Sequence, residues 1–133
     1  MKRSTFLTLA AMVAFAVGAF ALFAPAVLLA TKGVSSAAAG VWTREIGVLL
    51  LAIGVTALMV RKHEDSPTLR AFLMGNAAIQ FGLFPIEILA YREGTITMLS
   101  GIVPNSIVHL CLAAGFIYYT AKMPVKPSRQ NAA

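Results

Sequence analysis

The sequence carries little charge and a single cysteine. It has 133 residues, of which 11 are Lys or Arg and 5 are Asp or Glu, so that charged residues make up 12%. Soluble domains carry about 25%. Hydrophobic residues reach 59% and the mean hydropathy is +0.80. A small soluble domain cannot cover its surface with so few charges. The composition therefore excludes a soluble globule and indicates an integral membrane protein.

The scarcity of ligating and nucleophilic residues excludes several kinds of site. Cys111 is the only cysteine, so an intrachain disulfide or a paired-thiol site is excluded, and its apolar neighbours predict a buried, inert thiol. No paired metal-ligand motif occurs, and we expect no metal and no cofactor. The net charge of +6 does not indicate a nucleic-acid partner, because the basic residues have no soluble platform. The expected partners are membrane lipids and a homo-oligomer or larger membrane complex.

Four stretches are long and apolar enough to cross a membrane, which takes about 20 residues of helix. They are residues 6–30, 41–60, 67–90 and 104–123. Continuous apolar runs favour helices over a barrel. We predict an all-α, polytopic four-transmembrane-helix bundle forming one domain, residues 1–123, and a disordered cytoplasmic tail, residues 124–133. Ser66 and Pro67 predict the cap and first position of the third helix. The segment 94–103 is too short to span and is expected to be interfacial or re-entrant.

The basic residues predict the orientation of the bundle. With both termini cytoplasmic, eight of the eleven Lys and Arg residues lie inside and three, Lys32, Arg44 and Arg92, lie outside. This distribution predicts a multi-pass membrane protein with both termini in the cytoplasm. Lys2, Arg3 and the small residues 24–26 also resemble a signal peptide. The apolar run is longer than that of a signal peptide, so we favour an uncleaved helix.

Polar residues inside the spans are the candidate functional residues, since they are expensive to place in lipid. Asn76, Gln80 and Glu87 share one face of the third helix within about 40°. This stripe must face the interior of the bundle. Further polar groups are expected at the outer ends of the second and fourth helices; they are Arg44, Glu45, Asn105 and His109.

Two interpretations of this polar group remain open. It is either a structural clasp, in which Glu87 pairs with Arg44 and His109 bonds Asn105 or Glu45, or a pocket for a lipid-like or quinone-like molecule. The clasp favours a non-enzymatic accessory or structural subunit of a membrane assembly. The pocket favours a binding protein or an enzyme. A proton-coupled transporter working as an oligomer is a third hypothesis.

Glycines spaced seven residues apart mark one stripe on each of two helices. They are Gly47 and Gly54 in the second helix and Gly75 and Gly82 in the third. Small residues let membrane helices approach closely. The spacing therefore predicts a seam between the second and third helices.

The stretch Thr43-Arg44-Glu45-Ile46-Gly47, followed by an apolar helix, and the stretch 70–76 resemble small bacterial four-helix membrane proteins of the DoxX-like set and related families. The likeness covers about residues 41–121. It implies a four-helix bundle in a bacterial inner membrane. It supplies no catalytic residues and leaves the activity open.

Overall fold

A computed structural model describes residues 1–124 of the chain. This part is helical, without strands, and its order is α1 (Arg3–Phe23), α2 (Pro25–Ala30), α3 (Ala37–Val60), α4 (Pro67–Arg92) and α5 (Leu99–Ala121). Four of these helices, all but the short α2, are long and apolar enough to cross a membrane, as predicted. The predicted tail lies outside the described residues, apart from Pro124.

The helix boundaries follow from local chemistry. Ser66 caps α4, since its hydroxyl accepts a hydrogen bond from the Leu69 N–H at 3.1 Å, and Pro67 takes the first helical position. Ser36 caps α3 in the same way. The stretch expected as one helix over residues 6–30 is instead divided at Ala24, because Pro25 cannot donate a backbone hydrogen bond. Helix α5 begins at Leu99, so it includes half of the segment expected to be interfacial.

Helices α1 and α3 form a closely packed pair. A Cβ atom added to Gly47 would lie only 2.8 Å from the carbonyl oxygen of Gly18 and 2.8 Å from the amide nitrogen of Leu22. Glycine is therefore required at this crossing, because any side chain would meet backbone atoms. The predicted seam between the second and third spanning helices is wrong. Gly47 and Gly54 face α1, whereas Gly75 and Gly82 have open space around them.

Helices α4 and α5 form the second pair. The two pairs come together through α1 and α5 near the residue Arg3, and we call this side of the bundle the Arg3 end. Its core is apolar, and the ring of Phe6 packs edge-on against Phe116, with centroids 5.0 Å apart. Leu73 is completely buried beside them. This cluster anchors the bundle; its buried members are Phe6, Leu7, Ala10, Leu69, Leu73, Ala77, Phe116, Tyr119 and Met123.

The outside of the bundle is covered by large apolar side chains. Leu49 and Phe81 are 62% and 66% exposed, while the polar Asn76, Gln80 and Glu87 are buried. This inside-out arrangement matches a bundle whose solvent is lipid. Cys111 was expected to be buried; it is exposed, because it lies on the outer face of α5.

Candidate functional site

The buried polar side chains of α4 form the centre of the site. Asn76, Gln80 and Glu87 lie on the face of α4 that turns towards the other helices, in agreement with their shared helical face. Asn76 and Glu87 are eleven residues apart in the sequence, or roughly 16 Å along the axis at about 1.5 Å per residue. It runs from the apolar core towards the opposite side of the bundle, which we call the Lys32 end.

Glu87 pairs with Lys32, a residue that the sequence analysis had counted only as an orientation signal. The Lys32 Nζ donates to the Glu87 Oε1, and both side chains are largely buried. The prediction that Glu87 pairs with Arg44 is therefore wrong. No pattern in the sequence singled out Lys32, because it lies in a turn between helices and its partner is 55 residues away.

The turn that holds Lys32 is itself fixed by the rest of the chain. Gly33 adopts a φ of 71°, a left-handed conformation that favours glycine. The Lys32 carbonyl accepts hydrogen bonds from the backbone amides of Thr97 at 3.0 Å and Met98 at 3.3 Å. The segment before α5 thus clamps the turn after α2. This clamp places the Lys32 ammonium over the end of the α4 stripe.

A second polar group joins α4 to α5. The His109 Nδ1 lies 2.6 Å from the Gln80 Oε1, and its Nε2 lies 3.0 Å from the Asn105 Nδ2. These contacts fit a neutral imidazole whose Nδ1 donates to Gln80 and whose Nε2 accepts from Asn105. The expected bond between His109 and Asn105 is present. Gln80, rather than Glu45, is the second partner of His109.

Arg44 and Glu45 lie outside this group. Both are exposed, and within residues 1–124 neither side chain forms a hydrogen bond. The face of α3 that turns to the site carries Thr43, Ile46 and Leu50. Arg44 and Glu45 follow Thr43 by one and two residues, so they are rotated by about 100° and 200° from that face. Arg44 and Glu45 lie at the same level along the bundle axis as the polar group, as predicted. Their side chains lie on other faces of α3, so they do not contact it.

A cavity of about 270 Å³ lies between the two helix pairs. This volume is close to the lower end of small-molecule pockets, which occupy about 300–1,000 Å³. Its wall on the α4–α5 side carries the polar residues Asn76, Gln80, Glu87, Asn105 and His109, with Lys32 beside them. Its wall on the α1–α3 side is apolar except for Thr43 and includes Val13, Val17, Ile46 and Leu50. The cavity is amphipathic along its length.

Two buried polar atoms in this cavity have no hydrogen-bond partner in the described part of the chain. They are the Asn76 Oδ1 and the Glu87 Oε2. The Asn76 amide cannot be turned to remove this feature, because its Nδ2 already donates to the Phe72 carbonyl at 2.9 Å. A buried polar group without a partner costs about 1–3 kcal/mol. Both atoms are hydrogen-bond acceptors, so only a hydrogen-bond donor can satisfy them.

The chemistry available here is recognition by hydrogen bonds and one ion pair. Among residues 1–124, no group of three or more His, Cys, Asp or Glu side chains is placed to hold a metal ion. His109, Gln80 and Asn105 already occupy one another, and the Lys32 ammonium and Glu87 carboxylate neutralise each other. The cavity has the shape and lining to accommodate a polar group attached to an apolar body.

The fold and the site together define a class: a bundle of four membrane-length helices with an internal amphipathic cavity. Comparisons with models of protein families, with curated proteins and with solved structures give no match.

Proposed function

We propose that this protein is a membrane-embedded binding protein for a lipid-like molecule, which it holds in the cavity between the α1–α3 and α4–α5 pairs. The observation that carries the proposal is the pair of unpartnered, buried acceptors in the amphipathic cavity. Unpaired buried atoms destabilise a bundle. Two others, the Arg3 Nε and the Ser106 Oγ, lie outside the cavity, but only the Asn76 Oδ1 and the Glu87 Oε2 face it together. A ligand that donates hydrogen bonds to these acceptors would remove the cost of leaving them unpaired.

The rim of the cavity supports entry from the bilayer. Ile46 and Leu83 line the cavity and are 53% and 37% exposed, so the cavity reaches the apolar outside of the bundle between the helix pairs. An amphiphile dissolved in the membrane can approach this rim without crossing water. A strongly hydrated solute would first have to enter hydrocarbon, which is costly for polar groups.

The other hypotheses fit the site less well. The apolar cluster of Phe6, Phe116 and Tyr119 closes the cavity towards the Arg3 end, so the polar stripe does not continue to that end as a proton path would. An accessory or structural subunit needs no internal cavity. That role and transport by an oligomer remain hypotheses of lower rank.

We further propose that the protein lies in a bacterial inner membrane with both termini in the cytoplasm. The excess of Lys and Arg in the segments on the side of the termini supports the orientation. The resemblance of residues 41–121 to small bacterial membrane proteins supports the choice of membrane. In this orientation the Arg3 end faces the cytoplasm, and the Lys32 end of the cavity lies in the outer leaflet. A reporter fused after Ala133 tests it: cytoplasmic activity is expected, and periplasmic activity would reverse the orientation.

The binding function is tested with a photo-crosslinking amphiphile. The full chain is placed in liposomes with a long-chain alcohol that carries a diazirine in its chain, and the labelled positions are mapped by mass spectrometry. We expect labels on cavity residues such as Val13, Val17 and Leu83. Labels confined to the outer surface of the bundle would reject the proposal.

A filled cavity provides the matched control. Val108→Trp puts a large ring into the cavity, whereas Ile117→Trp puts the same ring on the exposed face of the same helix. Cavity labelling should fall by tenfold or more in Val108→Trp and remain in Ile117→Trp. Equal labelling in the two variants would show that the amphiphile does not occupy the cavity.

A further inference from the structure

The chemistry of the polar wall defines the head group that the cavity accepts, provided that the proposed function is correct. The two buried atoms without partners, the Asn76 Oδ1 and the Glu87 Oε2, are both acceptors. Each therefore requires a donor from the ligand. A head group that only accepts hydrogen bonds, such as an ether, an ester or a quinone carbonyl, leaves both atoms unpartnered.

The ion pair beside Glu87 adds a second requirement. A Lys ammonium has three donors, and the bond to the Glu87 Oε1 uses one of them. The Lys32 side chain is 20% exposed, so its remaining N–H groups can reach a ligand. The pair thus offers donors from Lys32 and an acceptor, the Glu87 Oε2, side by side. A hydroxyl group complements both, because it donates one hydrogen bond and accepts others.

The charge of the pair selects against ionic head groups. Lys32 and Glu87 neutralise each other, so a charged ligand would bring an uncompensated charge into a mostly apolar cavity, which is costly. A carboxylate would also meet the Glu87 carboxylate, and an ammonium would meet the Lys32 ammonium. An uncharged head avoids both repulsions.

We infer that the ligand is an uncharged amphiphile with a hydroxyl head group, and that the hydroxyl donates to the Glu87 Oε2 and accepts from the Lys32 Nζ. Its apolar body lies along the α1–α3 wall of Val13, Val17 and Leu50. The Asn76 Oδ1, roughly 16 Å further along α4, is the site for a second hydroxyl of the same ligand or class of ligand. Long-chain alcohols and neutral hydroxylated lipids share this chemistry.

The test is a competition in which only the head group changes. Dodecanol, its methyl ether and dodecanoate compete with the photo-crosslinking alcohol for the cavity of the full chain in liposomes. Since a hydrogen bond to a charged group contributes about 1.5–3 kcal/mol, dodecanol should compete at least tenfold better than the ether. It should also compete better than dodecanoate.

A variant that lacks the ion pair separates the head-group preference from the cavity itself. Lys32→Met combined with Glu87→Leu replaces the ion pair with apolar side chains, so that the cavity remains and no buried charge is left alone. Dodecanol and its ether should then compete within about a factor of two. If the variant does not fold, Glu87→Gln, which keeps the shape of the side chain, should still reduce the preference for dodecanol.

The outcomes distinguish the two proposals. Equal competition by alcohol and ether in the natural chain, or better competition by dodecanoate, would overturn the hydroxyl head group while leaving a lipid-binding cavity. Failure of all three compounds to displace the cavity label would instead reject the binding function. Retention of the full alcohol preference in the variant without the ion pair would place the selecting group elsewhere.

Discussion

The two ends of the bundle are built on opposite principles. At the Arg3 end, Leu73 is completely buried and the rings of Phe6 and Phe116 fill the space between α1 and α5. Between this core and the Lys32 end, the two helix pairs enclose a cavity with unpartnered polar atoms. Dense packing supplies stability, whereas a cavity and unpaired acceptors cost it. The difference indicates that one end holds the fold together and the other is available for binding.

The largest effect on stability is expected from the packed end. Leu73→Ala removes a completely buried side chain from the apolar cluster, so the free energy of unfolding should fall by about 2–5 kcal/mol. Met74→Ala, at a neighbouring position that is 55% exposed, should change it by less than about 0.5 kcal/mol. Unfolding in micelles, followed by circular dichroism, measures both. If Leu73→Ala lowered the free energy of unfolding by less than 1 kcal/mol, the Arg3 end would not be the part that holds the fold together.

The next largest effect is expected from the ion pair at the cavity end. Glu87→Gln leaves the Lys32 ammonium without its partner, which should cost about 1–3 kcal/mol in the same unfolding measurement. Lys32→Met combined with Glu87→Leu should recover most of this loss. Arg44→Met combined with Glu87→Leu should recover none, because Arg44 is exposed and Lys32 stays unpaired. If the double variant with Arg44→Met were the more stable of the two, the prediction that Arg44 pairs with Glu87 would be supported instead.

A smaller effect is expected from the histidine group that joins α4 to α5. A double-mutant cycle with Gln80→Leu and His109→Leu should give a coupling of about 0.6 kcal/mol and at most about 1.7 kcal/mol, as for hydrogen bonds between membrane helices. A cycle with Gln80→Leu and Asn105→Leu measures the coupling through His109. A coupling of zero between Gln80 and His109 would mean that their contact does not join the helices.

The smallest effect is expected from the ion pair at the Arg3 end. The Arg3 guanidinium pairs with Asp65, but these side chains are 22% and 36% exposed. Asp65→Asn should therefore cost only about 0.2–1 kcal/mol, and the difference from the natural chain should shrink in 1 M salt. The Glu87→Gln effect should persist in salt, because that pair is less exposed. Similar salt dependence at both ends would make the two ion pairs equivalent.

Much of the site follows from helical periodicity, and the rest depends on how the helices turn. The shared face of Asn76, Gln80 and Glu87 and the contact of Asn105 with His109 are local features, which a period of 3.6 residues determines. The prediction that Arg44 pairs with Glu87 depended only on their similar level along the bundle axis. The rotation of α3, which turns Arg44 away, depends on the Gly47 contact with Gly18 and has no local signal.

The sequence by itself determined the helical class, the four membrane-length helices and the polar face of α4, because composition and periodicity act within one segment. Only the tertiary structure decided that α3 packs on α1, that Lys32 reaches Glu87 and that a cavity remains between the pairs. These features depend on contacts between residues far apart in the chain, such as the backbone bonds from Thr97 and Met98 to Lys32. Helix rotation and the clamping of a turn are cooperative results of packing, which no single segment encodes.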